Sequence, residues 1–173
     1  TQAKQQGFAP KAATIGKAVL FPQAVETLGE AGHNLSSEVW WSPNHPFSSS
    51  LTGQSAAGLA HGFTAATGRQ WTQPIGFAHA LFEMAADVMA RVDDAGDADS
   101  VSEAIAATEL ASIVGRIAFD GTGLPPFAQA NVAKTPLVGG QWRLTESGSY
   151  DLVIVDSSTA PEVPPGGVME PIS

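Results

Sequence analysis

The chain has 173 residues, 43% of them apolar, and carries eight Lys and Arg against 17 Asp and Glu for a net charge of −9. That length suits one ordinary domain or parts of two small lobes, and the composition is that of a globular protein. The absence of cysteine excludes a thiolate nucleophile, an iron–sulfur cluster and disulfide staples, and no window approaches the roughly 18–20 apolar residues of a membrane span.

The opening TQAKQQGF reads as the last turns of a helix running into a Gly7 cap, as expected of a chain whose start lies inside an element of something longer. KAATIG (11–16) reads as a short buried strand. FPQAVETLGEAG (21–32) reads as a short helix with Pro22 in its first turn, Val25 and Leu28 inward, and Gly29 or Gly32 as its stop. EVWWS (38–42) reads as a second strand. Strand, helix and strand in this order make a βαβ unit, which implies parallel pairing through a right-handed crossover.

PNHPFSSS (43–50) is a loop by its prolines and serines. A helix follows over 53–67, with Gly68 as cap and Ser55 in its first turn. The strongest helical signal is 75–92. Phe77, Leu81, Met84, Ala85, Val88 and Val92 fall on one stripe, while His79, Glu83, Asp87 and Arg91 run down another face. DDAGDADS (93–100) is an acidic loop, and Ser100 with Glu103 forms a capping box for SVSEAIAAT. VGRIAFD (114–120) alternates like a strand, and GTGLPPFAQANVAKTP (121–136) is a long Pro/Gly loop. LVGGQWRL (137–144) and YDLVIVD (150–156) read as a hairpin closed by ESGS. The tail from Ser157 reads as extended or disordered.

Charge is distributed unevenly. Residues 1–92 balance five basic against five acidic side chains, whereas residues 93–173 hold three basic against twelve acidic. Without clustered Lys and Arg the chain lacks the means to neutralise phosphates, so neither nucleic acid nor an anionic membrane surface is an expected partner. There is no glycine fingerprint for phosphate, no GxSxG elbow, no HExxH pair and no EF-hand spacing, and no cofactor or metal is called for. His79 and Glu83 are one helical turn apart and could reach one metal, but such i,i+4 polar pairs commonly mark a solvated helix face. Trp40 and Trp41, adjacent in a strand, point to opposite sides: one enters a core, the other faces solvent, a cleft or another segment. Aromatics at strand ends and helix starts, here Trp41, Phe47, Trp71 and Phe77, can wall an apolar ligand cleft or simply pack.

The order of these features resembles the C-terminal part of type I periplasmic-binding proteins, the substrate-binding components of ABC importers for branched-chain amino acids and related molecules. The resemblance rests on QAKQQGFAPKAATIG (2–16), the helix 75–92, IVGRIAFDGTG (113–123) and TPLVGGQWR (135–143), and spans residues 1 to about 155. It implies an α/β fold: portions of two Rossmann-like lobes with a mostly parallel sheet plus a C-terminal hairpin. Residues 1–48 would belong to the second lobe, 49–135 to the first, 136–156 to a hairpin returning to the second, and 157–173 to an extended tail.

The function implied is non-catalytic binding of a small molecule, released to an ABC transporter permease, by a periplasmic or extracellular protein. Ligand contacts are expected from Lys17, Ala18, Trp41, Phe47, Phe77 and His79, since open α/β sheets bind at the carboxyl ends of their strands. The expected ligand is an amino acid or a related acid, amide or aromatic compound, since two departures leave room for the latter: Ala78-His79 replaces an aromatic-Asp pair, and Lys17, which could meet a carboxylate or simply be solvated, stands where an acidic or small polar residue is usual. Alternatives are a ligand-sensing regulatory domain of the same fold, and an α/β enzyme fragment with His79 or His45 as base. A part of such a fold leaves sheet edges and helix stripes uncovered, so self-association is also expected.

Overall fold

The computed structural model describes residues 2–129 and 131–172. The elements, in chain order, are α1 (Gln2–Gln5), α2 (Pro22–Glu26), β1 (Ser36–Val39), α3 (Ala56–Thr67), α4 (Pro74–Arg91), α5 (Ala98–Ala106), β2 (Glu109–Ser112), β3 (Gly115–Ala118), β4 (Val138–Leu144) and β5 (Tyr150–Asp156). Among the described residues, no helix is long and apolar enough to cross a membrane.

Two hydrophobic cores form. The first gathers Val19, Val25, Leu35 and Val39 with Val138, Trp142, Tyr150, Leu152, Ile154, Ala160 and Val163. The second gathers Trp41, Ala56, Ala60, Ala80, Ile113, Val114 and Ile117. The chain passes from one to the other between Val39 and Trp41, and the half-buried Trp71 packs against both.

The first core rests on a three-stranded sheet in the order β1-β4-β5. β1 pairs antiparallel with β4, Ser36 opposite Gln141 and Val39 opposite Val138, and β4 pairs antiparallel with β5 through the expected hairpin. The mixed α/β class is as expected, but the predominance of parallel pairing is not. The 11–16 segment is no buried strand: its one parallel bridge joins Thr14 to Ser36, on a stretch where only Ala13 and Ile15 are even half-buried. The reason is local. The two seven-residue strands of the hairpin meet across a short turn, whereas a parallel partner must be brought in through a crossover. The crossover helix itself is one short turn of α2 followed by a 3-10 turn at Gly29–Gly32, because Gly29 takes φ +55° after Leu28.

The second core lies between α3, α4 and the β2–β3 hairpin. Ser55 caps α3, its Oγ accepting from the Gly58 N–H, and Gly68 ends it at φ +67°. α5 is capped by Asp97, whose carboxylate accepts from the Asp99 N–H, rather than by Ser100. The packed face of α4 also differs from the expected stripe. Gly76, Ala80, Glu83 and Val88 are buried, whereas Leu81 and Phe82 are 64% and 72% exposed. The helix therefore makes its closest approach through small residues, with Phe77 and Met84 of the expected stripe half-buried against the same core, and turns Leu81, Phe82 and Met89 outward. Gly76 shows how close: a Cβ there would lie 2.3–2.5 Å from the Trp41 ring.

The tail is extended, and it is docked. Ala160 and Val163 enter the first core. The N–H groups of Gly166 and Gly167 donate to the Ile154 carbonyl at 2.8 and 3.2 Å, and the Ile172 N–H donates to the Lys11 carbonyl at 3.1 Å. Buried Gln141 exchanges two bonds with the Glu170 backbone, donating to its carbonyl at 2.9 Å and accepting from its N–H at 2.8 Å. The side-chain amide thus satisfies a chain segment that makes no sheet ladder of its own.

Candidate functional site

Beyond Val39 the chain alternates, and the two tryptophans part. Trp41 is fully buried, meets Trp71 edge-on at 6.0 Å between ring centroids, and donates its indole N–H to the Ile113 carbonyl at 3.2 Å. Trp40 points the other way and stays half-buried. Its ring meets Phe77, in the first turn of α4, edge-to-face at 6.3 Å and 84°. The Lys17 ammonium sits 4.8 Å from the centre of the Trp40 ring, within the range of a cation–π contact. Lys17 and the exposed Ala18 belong to the 3-10 turn Lys17–Val19 that follows Gly16. A Cβ at Gly16 would touch the Glu38 carboxylate at 3.7 Å, and Glu38 Oε1 is enclosed without a hydrogen-bond partner.

Gln73 fixes this arrangement. It is 1% exposed, accepts from the Trp40 N–H at 2.7 Å and donates to the Glu38 carbonyl at 3.0 Å. One side chain at the start of α4 therefore binds two groups on one edge of the outgoing β1 backbone, so Trp40 and Phe77 are held in register. The resulting cluster offers an aromatic surface, an exposed ammonium and a carboxylate oxygen with no partner. It can hold a small organic molecule by stacking and charge; it holds no nucleophile–base pair.

The expected site residues are thus distributed over four places. Lys17 and Phe77 come together around Trp40, and Ala18 follows Lys17 in the same turn. Trp41 lies behind them in the second core. Phe47 stands apart: its ring is 6.1 Å from that of His45 and packs beside Gly115 and Pro136. His79 is on the packed side of α4, with Nε2 2.7 Å from Ser49 Oγ. Glu83, one turn on, is fully buried, accepts from the Ser50 N–H and hydroxyl through Oε1 and from the Ile113 N–H through Oε2. The expected solvated row on α4 is therefore half internal. His79 and Glu83 anchor the 49–50 loop rather than sharing a metal, and among the described residues no group of three or more His, Asp or Glu could hold one.

His45, the other histidine considered as a base, is 3% exposed. Its Nδ1 accepts from the Ser42 N–H at 3.0 Å, so the neutral ring carries its proton on Nε2, which has no partner. Burial pushes its pKa down to about 4.

No family model matches the chain, and no curated protein does. Solved structures do. A leucine-binding protein of Thermotoga maritima superposes with a TM-score of 0.64 at 18% identity, over 91% of this chain and 40% of that one. An ABC transporter substrate-binding protein from Sphaerobacter thermophilus gives 0.62 at 16%, over 90% and 39%. A branched-chain amino acid transporter substrate-binding protein from Streptococcus pneumoniae, in complex with isoleucine, gives 0.57 at 15%, over 90% and 40%. This chain has the type I periplasmic-binding-protein fold, in part. It spans about 40% of the length of the structures it matches, and at this level of identity the likeness speaks for the fold.

Among residues that sequence reasoning left out, Trp40, Glu38 and Gln73 matter most. The signal for Trp40 is parity. Val39 and Trp41 share one side of the extended chain and Glu38 and Trp40 the other, so the charged residue marks which tryptophan faces outward. Nothing local announces Gln73, whose partners lie more than thirty residues away in sequence.

Proposed function

We propose that the chain is part of a non-catalytic binding protein that encloses a small organic molecule between two lobes, as the substrate-carrying component of an ABC-type importer acting in the periplasm or outside the cell. The observation that carries this reading is the Lys17–Trp40–Phe77 cluster. It draws Lys17 from the turn beside the first core and Phe77 from the helix of the second, and it sits where the chain crosses between them. A ligand seated there touches both cores and stabilises one angle between them.

In this reading residues 1–48 and 136–156 form one lobe, 49–135 the other, and 157–173 a tail along the first. The two cores support a division into two lobes, with the first passage at Val39–Trp41, ahead of residue 48. Lys17, Ala18, Phe77 and Trp40 contact the ligand directly. Trp41 sets the position of α4 through Gly76, and His79 holds the 49–50 loop. The exposed ammonium favours a ligand carboxylate, the aromatic pair an apolar or aromatic body, and the partnerless Glu38 oxygen a donor, so an acid that also carries an N–H or O–H is preferred over a simple amine. The permease is the partner, and the chain alone self-associates through uncovered apolar surface such as Leu81, Phe82 and Met89. Light scattering on a size-exclusion column checks that last point; a monomer at all concentrations counts against it.

The test of the binding reading is thermal-shift screening of the full-length parent against amino acids, aromatic acids and their amides. A ligand that binds only the native state raises the melting temperature by mass action. The expected result is a shift with an acid that Lys17→Met and Trp40→Ala each reduce. Shifts untouched by both substitutions would remove the cluster from the site.

A further inference from the structure

The edge of β1 that is not paired with β4 is covered in two parts. Ser36 bonds there to the 11–16 segment, its N–H donating to the Ala13 carbonyl at 2.9 Å and its carbonyl accepting from the Ile15 N–H at 2.8 Å. After Gly16 that segment leaves the edge for the Lys17–Val19 turn. Alternate residues of an extended chain present their main-chain groups to the same edge, so the Glu38 carbonyl and the Trp40 N–H carry on where Ser36 stops. Both go to Gln73, at 3.0 and 2.7 Å. One donor and one acceptor thus flank Val39 as a residue of a parallel partner strand would, yet they belong to a side chain at the start of the other core's helix. Gln70, three residues earlier, fastens the far strand: its Nε2 donates to the Tyr150 carbonyl of β5 at 2.7 Å. β1 and β5 are the outer strands of the three. Trp71, between the two glutamines, packs against both cores. The connection 68–73 therefore joins α3 to α4 in the second core while it grips both outer strands under the first.

We propose that Gln70 and Gln73 are positioning residues: together they fasten α4 to the first core's sheet and set the resting angle between the cores at which Phe77 meets Trp40. The inference rests on the reading of the Lys17–Trp40–Phe77 cluster as the ligand's seat, since it says what holds the two halves of that seat at their spacing. Lys17 and Trp40 ride on the first core's chain, whereas Phe77 rides on α4, about one helical turn beyond Gln73. The two rings are only half-buried and have room to slide past each other; a pair of hydrogen bonds from one buried side chain does not. Gln73 also has a single workable orientation. Turning its amide over would set the NH2 against the Trp40 N–H and the oxygen against the Glu38 carbonyl. A swivel of one core on the other has to stretch these bonds and that of Gln70, so the angle adopted without a ligand is theirs to set. The chemistry required is that of a carboxamide. A glutamate at position 73 accepts but does not donate, so Gln73→Glu keeps one bond of the pair, and Gln73→Met keeps neither.

NMR spectra of the full chain, with no ligand added, test the proposal through the Trp40 indole and Phe77 ring resonances. Gln70→Met is the decisive variant, because Gln70 bonds to neither residue and reaches them only through the connection. Both resonances are expected to move beyond their linewidths in Gln70→Met, and further in Gln73→Met. A merely structural role for Gln70 confines the changes to the surroundings of Tyr150. Val163→Ala, which loosens the first core away from the connection, is the control and is expected to leave Trp40 and Phe77 where they are. Resonances that stay in place in Gln70→Met, or that Val163→Ala moves as far, overturn the proposal whether or not the Gln73 variants fold. Because no ligand enters the comparison, an empty screen against acids and amides removes the binding reading and leaves this result standing, whereas unmoved resonances remove the role of the glutamines and leave the binding reading untouched.

Discussion

Glu83 is a charged side chain held entirely inside the protein by three donors, two of them backbone N–H groups. Removing the acceptor leaves those N–H groups buried and unpaired, at about 1–3 kcal/mol each. Glu83→Ala is therefore expected to lower the unfolding free energy by about 3 kcal/mol or more in urea titrations, and Glu83→Gln by less, since an amide oxygen can still accept. A different behaviour follows from His45. The unfolded chain takes up a proton near pH 6.5, and the folded chain resists until about pH 4. The unfolded state thus binds more protons between those values, so stability is full above pH 6.5 and falls as the pH is lowered toward 4, by up to about 3 kcal/mol. A plot of unfolding free energy against pH is expected to flatten over that window in His45→Gln.

Among the elements, α4 is the most instructive. Its existence and limits are legible in the sequence, Pro74 and the apolar spacing marking Pro74–Arg91 within a residue at each end. Its orientation is legible in part. Of the expected stripe Val88 is buried and Phe77 and Met84 pack against the core, but Leu81 and Ala85 are exposed and the remaining burial goes to Gly76, Ala80 and Glu83. Periodicity weighs a residue by its own preference for oil, whereas packing here is decided by how near Trp41 must come. That requirement gives a sharp expectation. Gly76→Ala is expected to be destabilising, against the usual gain of about 1 kcal/mol from replacing a helical glycine. Its new methyl would overlap the Trp41 ring, and such overpacking typically costs about 1–3 kcal/mol. Thermal unfolding followed by circular dichroism decides the sign. The same limit explains the 11–16 segment, read as a short buried strand: a strand also needs neighbours, and one bridge to Ser36 is what it finds.

For the molecule as a whole, the order of features was the most legible property. The hairpin, the crossover turn and the helices occur where spacing and turn residues place them, and the α/β class follows from that order. What was not legible is the tail. Four prolines and paired glycines read as an extended or disordered segment; it is extended, but composition cannot register Val163 filling a hole in the first core or Gln141 reaching out to the Glu170 backbone. Val163→Ala is accordingly expected to cost about 1.5–3 kcal/mol, the scale of burying one such side chain. Hydrogen exchange should then quicken at the Gly166 and Gly167 amides before it quickens in β4. Unchanged exchange at both would mean that the tail adheres without that anchor.

The placement of Trp40 has an optical consequence. Its three fellow indoles, Trp41, Trp71 and Trp142, are packed in or against the cores, whereas Trp40 alone is bracketed by an ammonium on one side and a phenyl ring on the other. Swivelling one core against its neighbour alters those two spacings together. The near-ultraviolet dichroism and emission wavelength of Trp40 would then change, together with those of Trp71, which touches both cores, while Trp142, inside one core, stays silent, so the indoles themselves would register such a movement without a label.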